Sequence, residues 1–508
     1  MRQAFQDRSE FGATSANNRP GAEGILRRDI DTLFLDNRSF VAAANEPDQL
    51  SSSRGLYERL MGINCLAKSN SNEREAASSF LRHWIEQSRD VPCDLPSDPS
   101  GLRAWSQQQL ADVGQQYRAY LSARKSRGRR QYFHSRSHAL SFLRAVAPTK
   151  LVDGAWLFGL LNRWNDPTFS DLVFTYVEEL GDGAPDRNHV LLYRRLLQSH
   201  GIDDWQEQPD ASYVQGTIQL ALATCPDEFL PEIIGFNLAY EQLPLHLLVT
   251  AYELDELGID PTYFSLHVTV DNAAGGHAER ALRATQDALA VVADKDRFWS
   301  RVRDGFRLAD AGLSTTQAIA SFDLHDEMVR VLGTRANVGS MAHSDYCRIE
   351  GRTVNEWLAD PEGVAGFLHA LERKGWIGRD IEPGNSRFWR LLQGEHAQMF
   401  GVFGDYELQV IHDWLRGGSA YDGASFAHTS SPQPPVPHRI QRRRAGQANS
   451  PSHLISDSDL VEVRLPARNR DANYSDGAQV AKLMGPAMHW TAAGLEATRV
   501  FSQQIRAN

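Results

Sequence analysis

Six residues of this chain carry side chains that bind iron well, and all six lie in helix-like segments within about a hundred residues of one another. Three are carboxylates and three are imidazoles. They are Glu179, His189, Glu241, His267, Asp271 and His277. Carboxylates can bridge or cap two neighbouring metal ions, and imidazoles can complete the coordination of each ion. The set therefore predicts a non-haem site for a pair of iron ions.

The spacing of the last three residues predicts an irregular backbone. His267 and Asp271 are four residues apart, which places them one turn apart on the same face of a helix. His277 would leave that face in a straight helix. Gly275-Gly276 permits a local widening or a break that could turn His277 inward. If His277 points elsewhere, His246 is the nearest alternative imidazole.

Glu179 and His189 are separated by a segment that cannot continue a regular helix, since residues 181–185 include two glycines and a proline. Glu179 should therefore end one helix and His189 should open the next, with Asp186 as a candidate N-cap. Both side chains can face one point if the turn is tight. Glu178 is a competing carboxylate, and the sequence alone does not choose between Glu178 and Glu179.

Glu241 lies in a segment that is apolar nearly all round, from Gly235 to Leu248, which predicts a buried helix. A buried, ionised carboxylate is costly unless it is paired or bound to a metal. Glu241 is therefore the strongest single candidate of the six. The alternative is a carboxylate that pairs with an arginine of the core.

The overall composition is that of a soluble protein. Of the 508 residues, 42% are hydrophobic, and the net charge of −11 argues against nucleic acid or an anionic membrane surface as the main partner. No run approaches 18 apolar residues, so we expect no membrane span. The first twenty residues lack an apolar signal region, and the four cysteines are scattered. We therefore expect a cytoplasmic protein with free thiols.

Helical spacing of apolar residues dominates from about residue 134 to 310, and strand signals are scarce. Short breaks between long helices predict antiparallel neighbours, and hence a compact all-α bundle. The predicted organisation is a disordered segment (1–24), an N-terminal helical extension (25–104), the metal-binding domain (105–310), a C-terminal helical region (311–418), a mobile loop (419–458) and a tail that docks on the body (459–508).

The order of these residues resembles the haem-oxygenase-like di-iron oxidases and oxygenases. Two motifs carry the resemblance: Phe-x-x-x-Glu-Glu-Leu-Gly-Asp-Gly…Asn-His, from Phe174 to His189, and Leu-His…Asp-Asn…Gly-His-Ala, from Leu266 to Ala278. They are similar to those of the longer bacterial members, often described as iron-containing redox enzymes. The resemblance covers residues 105–310. It implies a haem-oxygenase-like seven-helix bundle with N- and C-terminal helical extensions, two irons and activation of O₂.

Known activities of that family include N-oxygenation of amines and amino acids, desaturation and oxidative C–C cleavage. The resemblance therefore implies a small-molecule substrate, an external electron donor and a bridging peroxo di-iron(III) intermediate. N-oxygenation of a primary amine of an amino acid or related metabolite is our first expectation. The alternatives are a di-iron oxidase that desaturates or cleaves an aliphatic acid or amino acid, and a non-catalytic helical scaffold. The extensions could cover the bundle, form a homodimer interface or bind a carrier protein.

Overall fold

A computed structural model describes residues 52–63, 71–270, 276–339, 346–360, 363–393, 397–417 and 477–507. In these ranges the chain forms α-helices, short 3₁₀ turns and one two-residue-per-strand hairpin, so the predicted all-α fold is confirmed. Asp271, the disordered segment predicted for 1–24 and the loop predicted for 419–458 lie outside the described residues. The described residues belong to one compact unit.

The helices up to residue 310 are α1 (Ser53–Gly62), α2 (Ser71–Gln87), α3 (Leu102–Lys125), α4 (Arg136–Ala145), α5 (Ala147–Lys150), α6 (Ser170–Glu179), α7 (His189–Ser199), α8 (Val214–Thr224), α9 (Leu230–Tyr240), α10 (Leu245–Glu256), α11 (Thr262–Val270), α12 (His277–Val291) and α13 (Lys295–Leu308). A 3₁₀ helix covers Ala155–Arg163.

The later elements are α14 (Thr315–Ala320), α15 (Leu324–Gly339), β1 (Arg348–Ile349), β2 (Arg352–Thr353), α16 (Val354–Leu358), α17 (Val364–Arg373), α18 (Arg387–Leu392), α19 (Asp405–Arg416), α20 (Gly477–Leu483) and α21 (Ala492–Ala507). The two strands pair antiparallel. None of the helices in the described ranges is long and apolar enough to cross a membrane.

Helices α8 and α9 form the centre of the bundle, which explains why their sequences are apolar nearly all round. Helix α9 packs closely on α13 because each helix presents a glycine to the backbone of the other. A Cβ atom at Gly235 would lie 1.8 Å from the carbonyl oxygen of Val302, and one at Gly305 would lie 2.1 Å from that of Glu232. The two backbones are therefore in direct contact at these two positions.

Two apolar clusters meet around the predicted ligands. The first core contains side chains of α6, α8, α9 and α12. The second core contains side chains of α4, α7, α10 and α11. The helices that carry the predicted ligands come from both sets. The candidate site thus lies between the two apolar cores, where most of the candidate ligands are buried.

Candidate metal centre

Two groups of ligand-type side chains lie side by side in the interior and share one residue. Asp153, Glu179, His189 and His267 each offer an atom within 4.8 Å of the others. Glu179, Glu241 and His277 form a second group by the same measure. Glu179 belongs to both groups. The structure therefore brings five of the six predicted ligands together and adds Asp153.

The turn between α6 and α7 brings Glu179 to His189. Glu179 is the last residue of α6 and His189 is the first of α7, as the sequence predicts. Between them Gly181, Asp182 and Gly183 all have positive φ angles of 67°, 54° and 79°. Glycine adopts this left-handed backbone without a Cβ penalty, and aspartate tolerates it better than most residues. The chain can therefore reverse within a few residues.

The N-cap of α7 differs from our expectation. Asn188, and not Asp186, occupies it, and its Oδ1 accepts a hydrogen bond of 3.0 Å from the backbone N–H of Leu191. The Nδ2 of Asn188 donates to the carbonyl oxygen of Leu180 at 3.2 Å. The side chain of Asn188 therefore connects the end of α6 to the start of α7 through hydrogen bonds. Asp186 lies too early, because the turn itself continues to residue 188.

Glu179 and His189 are the best evidence that the site fits a metal. Both are buried, with 3% and 1% of their surfaces exposed, and Oε2 of Glu179 contacts Nδ1 of His189. Neither atom has a hydrogen-bond partner of acceptable geometry among the described residues. Two buried polar atoms in contact without a hydrogen bond are costly. A cation that binds both atoms would remove that cost.

His277 connects the two carboxylates of the second group. It is the first residue of α12, while α11 ends at Val270, so separate helices carry His267 and His277. Its Nδ1 lies 3.1 Å from Oε2 of Glu241 and 3.2 Å from Oε1 of Glu179. Its Nε2 lies 3.1 Å from Oε2 of Glu178. A proton on Nε2, donated to Glu178, leaves the lone pair of Nδ1 directed at the other two carboxylates.

Glu178 faces away from both groups and pairs with an arginine. Its two oxygens accept hydrogen bonds of 2.6 and 2.9 Å from the guanidinium of Arg280. Burial alone would raise the pKa of Glu178, but the hydrogen bonds and charges of His277 and Arg280 lower it to about 2. The geometry therefore assembles Glu179, and not Glu178, with the other candidate ligands. Glu178 orients the imidazole of His277 from behind.

Asp153 was not among the predicted ligands. It follows α5 and is 4% exposed. Its Oδ2 accepts a hydrogen bond of 2.5 Å from the hydroxyl of Tyr263 and lies 3.1 Å from Nε2 of His267. A sequence signal existed: this carboxylate stands in the otherwise apolar run from Leu151 to Leu161. The argument applied to Glu241 would have found it.

Two of the candidate imidazoles are held in one orientation by groups outside the ligand set. Nδ1 of His267 donates to the carbonyl oxygen of Tyr263 at 2.8 Å, which leaves Nε2 facing Asp153. His277 is held in the same way by Glu178. His246, the alternative imidazole, lies in neither group, and burial with the nearby charge of Lys150 lowers its pKa to about 4.

Gly154 leaves the space that the side chain of Glu179 occupies. The residue after Asp153 has a φ of +78°, and a Cβ atom there would lie 2.9 Å from Cβ of Glu179. A side chain at this position would therefore push the shared carboxylate out of position. The glycine also turns the chain from Asp153 into the 3₁₀ helix Ala155–Arg163.

Glu179 and Asp153 remain ionised despite their burial. Burial raises the pKa of Glu179, but the electrostatic effect of His189 and His277 outweighs it and holds the pKa well below its usual range. For Asp153 the raising effect of burial is likewise outweighed, by Lys150 and His267, so its pKa is lowered. Deprotonated carboxylates and neutral imidazoles are the forms that bind metal ions.

Residues 140–310 match a protein family described as iron-containing redox enzymes. This range contains both ligand groups, from Asp153 to His277. No curated protein and no solved structure shows a significant match to the chain.

Proposed function

We propose that this chain is a non-haem di-iron oxygenase. The match of residues 140–310 to the iron-containing redox enzymes supports an iron-dependent oxidoreductase. One iron would bind to Asp153, Glu179, His189 and His267. The second would bind to Glu179, Glu241 and His277, and we propose Asp271 as a further ligand of the centre.

The shared position of Glu179 is the observation that carries this proposal. A carboxylate whose two oxygens face two separate ligand groups is suited to bridge two ions. Two Fe(II) ions would also offset the negative charges of Asp153, Glu179 and Glu241, which share one buried region. Without cations such a cluster of carboxylates would be expensive to bury. The donor set of carboxylates and imidazoles matches what iron accepts.

We propose N-oxygenation of a primary amine, on an amino acid or related metabolite, as the reaction. Bound iron would supply the redox chemistry that activates O₂, with electrons from an external donor. The residues of the chain would orient the ligands and exclude water. Glu178 and the carbonyl oxygen of Tyr263 orient two imidazoles, and the two apolar cores exclude water from the reacting atoms. The choice of reaction rests on the resemblance described above.

The reaction type can be tested with Fe(II)-loaded protein, a reductant, ¹⁸O₂ and a panel of primary amines and amino acids, with products identified by mass spectrometry. N-oxygenation predicts a product that carries ¹⁸O on nitrogen. A product that has lost two hydrogens, or release of CO₂ from the substrate, would indicate desaturation or C–C cleavage instead. A folded protein that binds no iron would favour the scaffold alternative.

The ligand assignment can be tested separately with Glu241→Ala. This change should lower the iron content while the metal-free protein keeps its fold, because an unfavourable buried charge is removed. Glu232→Gln is the matched control. Glu232 is also a buried carboxylate on α9, but it pairs with Arg301 at 2.6 Å. Its replacement should reduce stability and leave the iron content unchanged. Normal iron content in Glu241→Ala would remove Glu241 from the site.

A further inference from the structure

Arg194 of α7 carries a charge that no described carboxylate neutralises. Its Nε atom is buried and has no hydrogen-bond partner in the described part of the chain. The guanidinium lies flat against Trp490, with Cζ 3.9 Å from the centre of the ring. Burial lowers the pKa of Arg194 to about 10. An arginine in this setting remains protonated and attracts an anion.

Two further hydrogen-bond donors lack partners in the same region. The hydroxyl of Tyr57, on α1, and Nε1 of Trp490, between α20 and α21, are both buried and have no hydrogen-bond partner among the described residues. The charge of Arg194 reaches Tyr57, where it opposes the rise in the pKa of the hydroxyl that burial causes. Three separate elements of the fold thus contribute a donor to one region.

Buried donors without acceptors are rare in folded proteins, so Nε of this guanidinium and the two further donors call for an explanation. The N–H groups of arginine and tryptophan can only donate, and a tyrosine hydroxyl can donate as well. A ligand that satisfies all three must therefore offer several acceptor atoms and a negative charge. A carboxylate has this chemistry, and it matches the planar fork of the guanidinium. Its single charge also balances the single charge of Arg194.

Arg194 lies on the helix that begins with His189, one of the candidate metal ligands. Arg194 follows His189 by five residues on α7, which corresponds to about 7.5 Å along the helix axis. His489 lies within reach of both regions: burial and the charges of Arg194 and His189 lower its pKa to about 3. Nδ2 of Asn188, the residue before His189, donates to Nδ1 of His489 at 3.1 Å. His489 therefore connects the region of Arg194 with the start of α7, which carries His189.

We propose that Arg194, Tyr57 and Trp490 form a carboxylate-binding site, and that it holds the carboxylate of the substrate. The first part stands on the three donors alone, whereas the second rests on the proposed function. The substrate would then be an amino acid or another organic acid whose oxidised atom is separated from its carboxylate by several bonds. The C-terminal segment with Trp490 would be part of the substrate site.

Binding of hexanoate to the metal-free protein, measured by calorimetry, tests the site, with hexanamide as the uncharged analogue. We expect wild-type protein to bind hexanoate and to bind hexanamide at least tenfold more weakly. Arg194→Gln should weaken hexanoate binding at least tenfold, and Tyr57→Phe should weaken it several-fold. Arg195→Gln is the matched control, since Arg195 donates to the carbonyl oxygen of Pro185 at 3.1 Å instead. It should bind hexanoate like wild type.

Trp490→Phe offers a second variant if Arg194→Gln fails to fold, because it keeps an aromatic ring beside the guanidinium but removes the indole N–H. It should also weaken hexanoate binding. Equal binding of hexanoate and hexanamide, or unchanged binding in the folded variants, would overturn the site. Tighter binding of inorganic phosphate than of hexanoate would overturn the choice of a carboxylate.

The failure of one proposal is distinguishable from that of the other. Arg194 is not one of the proposed iron ligands, so a protein that binds two irons but no hexanoate refutes the carboxylate site only. A protein that binds hexanoate but no iron supports the carboxylate site and refutes its assignment to an oxygenase substrate.

Discussion

The carboxylate of Glu179 and the imidazole of His189 meet in the interior although they belong to different helices. The contact depends on a turn of three consecutive residues with left-handed backbone, Gly181 to Gly183. Helix α21 packs on this turn, and the hydroxyl of Ser502 donates to Asp182 at 2.8 Å. The C-terminal helix therefore braces the turn that brings the two side chains together.

Replacement of the neighbouring carboxylates should give opposite results. Glu179→Gln should reduce the iron content from about two per chain to one or none, because an amide is a poor ligand and the bridge is lost. Glu178→Gln should keep about two irons, since Glu178 pairs with Arg280 and only orients His277. Iron analysis of both proteins after anaerobic reconstitution decides the matter. The reverse pattern would assign the bridge to Glu178.

Much of this pair of helices could be predicted from the sequence, because its determinants are local. Glycines and a proline after Glu179 interrupt a helix wherever they occur, so the end of α6 and the start of α7 were predictable. The choice between Glu178 and Glu179 was not predictable from the sequence. Successive residues of a helix point about 100° apart. Which of the two faces the core depends on Arg280, whose position is set by tertiary packing.

Gly154→Ala should weaken the site by steric conflict. The new Cβ would meet Cβ of Glu179 at 2.9 Å, in addition to the strain of a positive φ. Gly351→Ala is the matched control: its φ is +83°, but nothing lies within 4 Å of the new Cβ. Urea unfolding should show a loss of about 1–2 kcal/mol for Gly351→Ala and a clearly larger loss for Gly154→Ala. Only Gly154→Ala should lose iron. Equal effects on stability and iron would contradict the packing argument.

The contact between α9 and α13 should tolerate no side chain at Gly235. Since a Cβ there would lie 1.8 Å from the carbonyl oxygen of Val302, Gly235→Ala must separate the two helices, at a cost of about 3 kcal/mol or more. Gly333→Ala on α15 meets nothing within 4 Å and should stabilise by up to about 1 kcal/mol, since alanine favours helix. Thermal unfolding of both variants tests this. A Gly235→Ala protein as stable as wild type would contradict the close helix contact.

His138 should make stability depend on pH. Burial lowers its pKa from 6.5 to about 4 in the folded protein, and Nε2 donates to the carbonyl oxygen of Ile319 at 2.8 Å. Because the unfolded chain binds the proton more readily, its contribution to stability is fully present above pH 6.5 and is lost as pH falls towards 4. The slope from one such proton is at most about 1.4 kcal/mol per pH unit. His138→Gln should reduce the slope measured by urea unfolding, whereas an unchanged slope would show that other groups cause it.

Other features of the site could not be predicted from the sequence because they depend on tertiary contacts. The apolar run around Asp153 indicates a buried carboxylate, but only the packing of the 3₁₀ helix against α6 brings Asp153 to Glu179. Arg194 and Trp490 are separated by more than half of the chain, and only tertiary packing brings their side chains together. The all-α architecture was predictable because periodic apolar spacing is a local signal. The pairing of particular side chains was not predictable, because it depends on tertiary packing.

The proposed function requires that this chain holds two non-haem irons in one buried site. The most direct measurement is the iron content of wild-type protein after anaerobic reconstitution with Fe(II), combined with Mössbauer spectroscopy of ⁵⁷Fe-loaded, air-oxidised protein. We expect about two irons per chain in a magnetically coupled pair, with no haem. One isolated iron, stoichiometric haem, or a folded protein that binds no iron would contradict it.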